Sequence, residues 1–80
     1  MVGQVGLNGV TVYAYVLADA DELRVRVSAD DWERLGLSPG QRVRVERGGR
    51  AEAPLLLAAA EQEPPVVWLR LVSLVARKAS

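Results

Sequence analysis

The sequence predicts a mainly β protein: one small β-barrel domain over residues 1–80, with five or six strands and one short helix near residues 29–35. Three observations carry this expectation. Apolar and polar residues alternate with period two in several short runs, the pattern of half-buried strands. The turn dipeptides Asn8-Gly9, Pro39-Gly40 and Gly48-Gly49 punctuate those runs, and each suits a specific tight turn. Between Ser28 and Gly36 a helix start and a helix stop lie only about two turns apart.

Taken in order, Gly3, Gly6 and Gly9 break up the start of the chain. Val10–Leu17 then alternates, with Val10, Val12, Ala14 and Val16 on one side and Thr11, Tyr13, Tyr15 and Leu17 on the other. β-branched and aromatic residues at period two predict a strand. Residues 18–21 are short and polar and suit a hairpin connection. Leu23–Val27 is the cleanest strand, with Leu23, Val25 and Val27 inward and Arg24 and Arg26 outward.

Ser28 caps the helix by accepting an amide two or three residues on. Asp31 stands where a capping box would place Glu, and Asp30 and Asp31 both favour the positive helix N-terminus. Trp32 and Leu35 share one face, and Gly36 stops the helix. Ser38-Pro39-Gly40-Gln41 has the Pro and Gly positions of a type II turn. Arg42–Arg47 alternates again, with Val43 and Val45 inward, and Gly48-Gly49 turns the chain back toward a strand that Pro54 confines to an edge or a bulge.

Residues 55–63, Leu-Leu-Leu-Ala-Ala-Ala-Glu-Gln-Glu, read two ways. They are rich in helix formers, and Pro54 could open a helix. As strand, over about Ala51–Ala58, they complete the hairpin begun at Gly48-Gly49, and this reading is preferred. Pro64-Pro65 ends the segment in either case. Val66–Val75 is apolar on both faces apart from Arg70 and Ser73, as in a central strand covered on both sides or one used in association. Ala76–Ser80 is a polar tail. Trp32 and Trp68 are expected in the core.

Composition excludes much chemistry. The chain has no cysteine and no histidine. That removes disulfides, thiolate nucleophiles, thiolate metal sites and the commonest general base and metal ligand. A non-enzyme without cofactor is expected. Asp30, Asp31 and Glu33 resemble a hard-metal cluster in composition only, since capping and dipole complementarity account for the first two; no metal is expected. Ten basic and ten acidic residues cancel, which disfavours a dedicated nucleic-acid binder. All but one of the basic residues are arginine, and Ala, Val and Leu are abundant, a thermophile-like composition. The N-terminus shows no basic start followed by an apolar run, and the apolar stretches Leu55–Ala60 and Val66–Leu69 fall far short of the roughly 20 residues that span a bilayer. A cytoplasmic location with no membrane partner is expected.

The candidate site is outward-facing. Alternation puts Arg24, Arg26, Arg42 and Arg44 on the outer faces of their strands, and Tyr13 and Tyr15 as well. Guanidinium forks take phosphate or carboxylate, and tyrosine stacks on bases or on guanidinium planes. A solvated sheet face with cross-strand pairs accounts for the same residues without a ligand.

The run Leu23–Arg50 resembles a segment of double-psi and related swapped-hairpin barrels. There, a strand leads into Ser/Pro-x-Asp-Asp/Ala, then Leu-Gly-Leu, Pro/Asp-Gly, an Arg/Val strand and a Gly turn; here the matching residues are Ser28-Ala29-Asp30-Asp31, Leu35-Gly36-Leu37, Pro39-Gly40, Arg42–Arg47 and Gly48-Gly49. It is similar to the C-terminal barrel of molybdopterin oxidoreductases, a likeness that stretches from about Arg24 to Leu71. It is also similar to the N-terminal barrel of archaeal AAA unfoldases, to AbrB-type DNA-binding dimers as far as Leu57, and to TOBE-like modules of transporter ATPases. These resemblances imply a small barrel and carry no catalytic residue. Where the AbrB type has Pro and basic residues leading into its helix, this chain has Ser28-Ala29-Asp30-Asp31, which phosphates would repel. Aspartate decarboxylase shares the barrel but needs a Gly-Ser cleavage site, and the chain has no Gly-Ser pair. The expected role is a non-catalytic binding module engaging a partner protein or a small anionic ligand, with homo-oligomerisation through the apolar surplus of Val66–Val75. The alternative is an AbrB-like homodimeric DNA-binding regulator.

Overall fold

A computed structural model describes residues 1–19 and 21–74. Its elements are β1 (Val2–Leu7), β2 (Val10–Ala18), β3 (Glu22–Ser28), α1 (Ala29–Leu35), β4 (Arg42–Val43), β5 (Val45–Arg47), β6 (Arg50–Ala51), β7 (Leu55–Glu63) and β8 (Val66–Ser73). All described strands belong to one antiparallel sheet in the order β4-β7-β8-β3-β2-β1-β5-β6.

The mainly β class with one short helix is as the alternation indicated. The barrel of five or six strands is corrected to an open sheet of eight. Two physical reasons account for this. The glycine-broken start is a strand after all: β1 pairs along its whole length with β2, Val2 opposite Tyr15 and Leu7 opposite Val10. Gly6 is there because Glu46 lies across it; a Cβ at Gly6 would stand 3.3 Å from the Glu46 Cβ. Secondly, the single run Arg42–Arg47 bends at Arg44. Its first half pairs with β7 and its second half with β1. The two sides of the sheet therefore approach one another through the chain at Arg44, and no ladder closes them.

The bend is pinned from the β1–β2 turn. Asn8 (φ 52) and Gly9 (φ 85) both have left-handed backbone, as a type I′ hairpin turn requires. The Asn8 N–H donates to the Arg44 carbonyl at 2.9 Å, and the Arg44 N–H donates to Asn8 Oδ1 at 2.8 Å. The Pro39-Gly40 turn forms as expected, with Gln41 N–H donating to the Ser38 carbonyl at 3.2 Å.

Helix α1 is capped by Ser28, whose Oγ accepts the Asp31 N–H at 3.1 Å, and it ends at Gly36 with φ 64. Seven residues do not make a stable helix alone. Leu35 is buried in the core and Trp32 is half-buried against it. The Ala29 N–H also donates to the Pro65 carbonyl at 3.0 Å, fixing the helix start to the β7–β8 turn, where the Pro64-Pro65 bond is cis.

The core is the inner face of the curled sheet. Leu7, Val25, Val43, Val45, Leu57 and Leu71 are fully buried, and no polar or charged residue among the described ones joins them. Residues 55–63 are strand, but the expected return strand of the Gly48-Gly49 hairpin over about Ala51–Ala58 is corrected: β6 alone pairs back on β5, and β7 pairs with β4 and β8 because the chain leaves the hairpin after Ala51. A bulge between Leu57 and Ala59 shifts the register against β8. It takes up Ala58, so Leu57 and Ala60 both turn toward the core while Glu61 and Glu63 turn outward. β8 is central, between β7 and β3. Val67, Leu69 and Leu71 are buried, whereas Trp68 is half-buried on the outer face. The expectation of a core Trp68 is thereby corrected: strand parity outweighs side-chain type. Val75 and the polar tail Ala76–Ser80 lie outside the described residues.

Candidate docking surface on the outer sheet face

Strand registers build the surface residue by residue. Val2 stands opposite Tyr15, Tyr15 opposite Arg26, Arg26 opposite Trp68, and Trp68 opposite Glu61. This row crosses five strands on the outer face. The next row holds Leu17, Arg24, Arg70 and Ala59. Tyr13, one step along β2 from Tyr15, is 68 % exposed.

The rings and guanidinium groups interlock. The Tyr15 and Trp68 ring centroids are 6.3 Å apart at an interplanar angle of 88°, a T-shaped contact. The Arg26 guanidinium carbon lies 4.9 Å from the Tyr15 centroid and 5.7 Å from that of Trp68. Arg24 also reaches Trp68, at 5.7 Å. Both aromatic residues thus hold a cation by cation–π attraction. The ring faces that would otherwise take a flat ligand are used to orient arginines.

The charges on this face are partnered unequally. Glu22 accepts from Arg70 Nε at 3.2 Å and stands 4.0 Å from Arg24 Nε. Among the described residues, Arg26 has no carboxylate within ion-pairing distance, and Glu61 has no cation. Trp68 stands between them in the row. A shallow hollow of about 250 Å³ borders Arg26, between Tyr13, Tyr15, Val2 and Val66. A smaller one of about 110 Å³ lies between Arg24, Trp68, Arg70 and Glu61. Both volumes are below the roughly 300–1,000 Å³ of a pocket that encloses a small-molecule ligand. Among the described residues no cluster of acidic side chains could hold a metal ion.

Of the six residues singled out in the sequence, the structure brings together Arg24, Arg26 and Tyr15, with Tyr13 beside them. Arg42 and Arg44 are exposed but lie elsewhere. Arg42 pairs with Leu56 on β4, three places from β3 in the strand order, about 14 Å away at ordinary strand spacing. Arg44 stands at the bend beside Asn8. Sequence reasoning missed Trp68, Arg70 and Glu61. The signal for the first two was present: if Val67, Leu69 and Leu71 face the core, Trp68 and Arg70 cannot. No such signal marks Glu61, because its face depends on the bulge.

Comparison with protein-family models, with curated proteins and with solved structures finds no match to this chain. No described helix is long and apolar enough to cross a membrane.

Proposed function

We propose that the chain is a non-catalytic binding module that docks a protein partner on the outer face of β2, β3, β8 and β7, where Arg26 receives a carboxylate of that partner. The observation that carries this reading is the state of Arg26: two aromatic rings hold its guanidinium, and no carboxylate among the described residues pairs with it. A positioned guanidinium presents a donor fork that matches a carboxylate bidentately. Tyr13, Val2 and Val66 supply adjoining apolar contact, and aromatic residues with arginine are the side chains that anchor protein interfaces.

The rim argues for a protein over a polyanion. Glu61 and Glu63 flank the face along β7, and Asp30 and Glu33 on α1 are exposed just beyond Ser28. A nucleic-acid backbone crossing the face would meet these carboxylates, whereas a polypeptide can place one carboxylate at Arg26 and avoid the rest.

Amide, arginine Nε–H and indole N–H resonances, followed during titration with a peptide of alternating valine and glutamate, test the reading. Saturable shifts at Arg24, Arg26, Tyr15 and Trp68, lost in Arg26→Ala, support it. Shifts centred on Arg42 and Arg44, or none at any residue of the outer face, refute it.

A further inference from the structure

The row Arg26–Trp68–Glu61 is self-complementary, and we infer that the partner docked on this face is a second copy of the chain, with Arg26 of each copy paired to Glu61 of the other across Trp68. The inference rests on the docking reading above and names its occupant.

Cation, ring and anion stand in sequence on β3, β8 and β7, in direct register. Two sheets packed face to face lie about 10 Å apart with their strands within about 30° of alignment. Place a two-fold axis between them, parallel to β8 and above Trp68. The rotation carries β3 of one copy over β7 of the other and leaves positions along the strand unchanged. Arg26 then faces the other copy's Glu61, the reverse pair forms by symmetry, and the two Trp68 rings meet at the axis. Val66, half-buried on the same face of β8, meets its own mate. An isologous interface requires this kind of reciprocity.

The charge order also selects the axis. A two-fold axis lying along the row, at right angles to β8, would stack β3 on β3 and place Arg26 against Arg26. The axis along β8 is the arrangement that pairs unlike charges. It does bring Arg70 near its mate, but each Arg70 already holds Glu22 at 3.2 Å within its own chain. Arg26 and Glu61, neither of which has an ion-pair partner among the described residues, are the cation and anion that the rotation joins.

The face is small. Four strands at about 4.8 Å and about six residues at 3.3 Å span roughly 19 by 20 Å, about 400 Å² per copy, which is below the roughly 1,000 Å² total of a stable specific interface and fits only a weak, transient association. Association is therefore expected to depend on concentration.

Sedimentation velocity from about 1 µM to about 1 mM covers that range. The wild-type mass should rise from 8.7 kDa toward twice that value. Arg26→Glu alone and Glu61→Arg alone should stay monomeric, since each reversal sets like charges face to face. The double reversal should dimerise again. An equimolar mixture of the two single variants should also associate. In that pairing the glutamate introduced at position 26 of one chain faces the arginine introduced at position 61 of the other, and the unaltered Glu61 and Arg26 face each other. Circular dichroism of each variant checks that it is folded. A wild type that is monomeric throughout, a dimer untouched by either single reversal, or a mixture that fails to associate each overturns the inference. A monomer that still takes the valine–glutamate peptide at Arg26 overturns the second copy as partner and leaves the docking reading in place.

Discussion

Replacing Asn8 separates two contributions that meet at the bend joining the sides of the sheet. Asn8 has left-handed backbone (φ 52), and its Oδ1 accepts the Arg44 N–H at 2.8 Å. Its own N–H donates to the Arg44 carbonyl and survives any non-proline substitution. Asn8→Gly keeps the backbone conformation and removes only the side-chain acceptor, which costs about 1 kcal/mol at a site that water can reach. Asn8→Ala removes the same bond and also places an ordinary Cβ in the left-handed region, which adds about 1 kcal/mol. The expected losses are thus about 1 and about 2 kcal/mol, from a total of roughly 4–12 kcal/mol for a chain of this size. Urea unfolding followed by circular dichroism reads them. With a slope near 1 kcal/mol per molar, the midpoint falls by about 1 M for Asn8→Gly and about 2 M for Asn8→Ala. Equal midpoints for the two variants would remove the backbone term from the argument. Midpoints of both within about 0.3 M of wild type, below what one lost hydrogen bond costs, would mean that Asn8 does not hold the bend.

Ser28→Ala should lower stability by about 1 kcal/mol, and Ser28→Asp should restore it, since either oxygen caps the Asp31 N–H; thermal melting of the pair measures this. Leu71→Ala, at a fully buried position on the central strand, should cost about 2–5 kcal/mol by urea unfolding. Glu22→Gln should change stability by less than about 1 kcal/mol despite its contacts with Arg24 and Arg70, because all three side chains are solvated. Shortening the run Ala58-Ala59-Ala60 by one residue removes the bulge and keeps both registers, so the protein should stay folded within about 1 kcal/mol of wild type. Lengthening the run by one should instead drive Glu61 toward the core and lower the melting point steeply, by several degrees per kcal/mol.

Local signals carried most of the fold. Alternation at Val10–Leu17 and Leu23–Val27, the Ser28 cap, the Gly36 stop and the Pro39-Gly40 and Gly48-Gly49 turns all reappear, because each depends on residues within a few positions of one another. What failed depends on distant residues. Gly3 and Gly6 looked like breaks because their strand is imposed from outside, by β2 on one side and by Glu46 crossing Gly6 on the other. The split at Arg44 could not be seen in Arg42–Arg47, since the alternation continues through the bend and only pairing with β7 and β1 divides it. Residues 55–63 fit neither a period of two nor one of 3.6, because the bulge at Ala58 inserts one residue into a strand. Half of the candidate site was legible for the same reason. Arg24, Arg26 and Tyr15 share a face by parity and become neighbours through the β2–β3 hairpin, whereas Arg42 and Arg44 share only the parity.

The bulge also decides what the outer face can recognise. Without it, parity carried on from Leu57 would turn Glu61 into the core, where an unpaired carboxylate is not tolerated. With it, Glu61 comes level with Trp68 and Arg26 while remaining separated from Arg26 by the indole. In the single copy, two solvated charges left apart cost little. On docking they lose water, and each then requires an opposite charge from the partner. A partner broad enough to cover Glu61 as well as Arg26 must offer a cation there, since otherwise one charge is buried without compensation. On the proposed docking reading, recognition is set by the spacing of a cation and an anion about two strands apart, roughly 10 Å, and Trp68 between them supplies the apolar contact. Truncating Trp68 should therefore act mainly on the dissociation rate. Reversing one charge should slow encounter and exclude the original partner while admitting its charge-reversed counterpart.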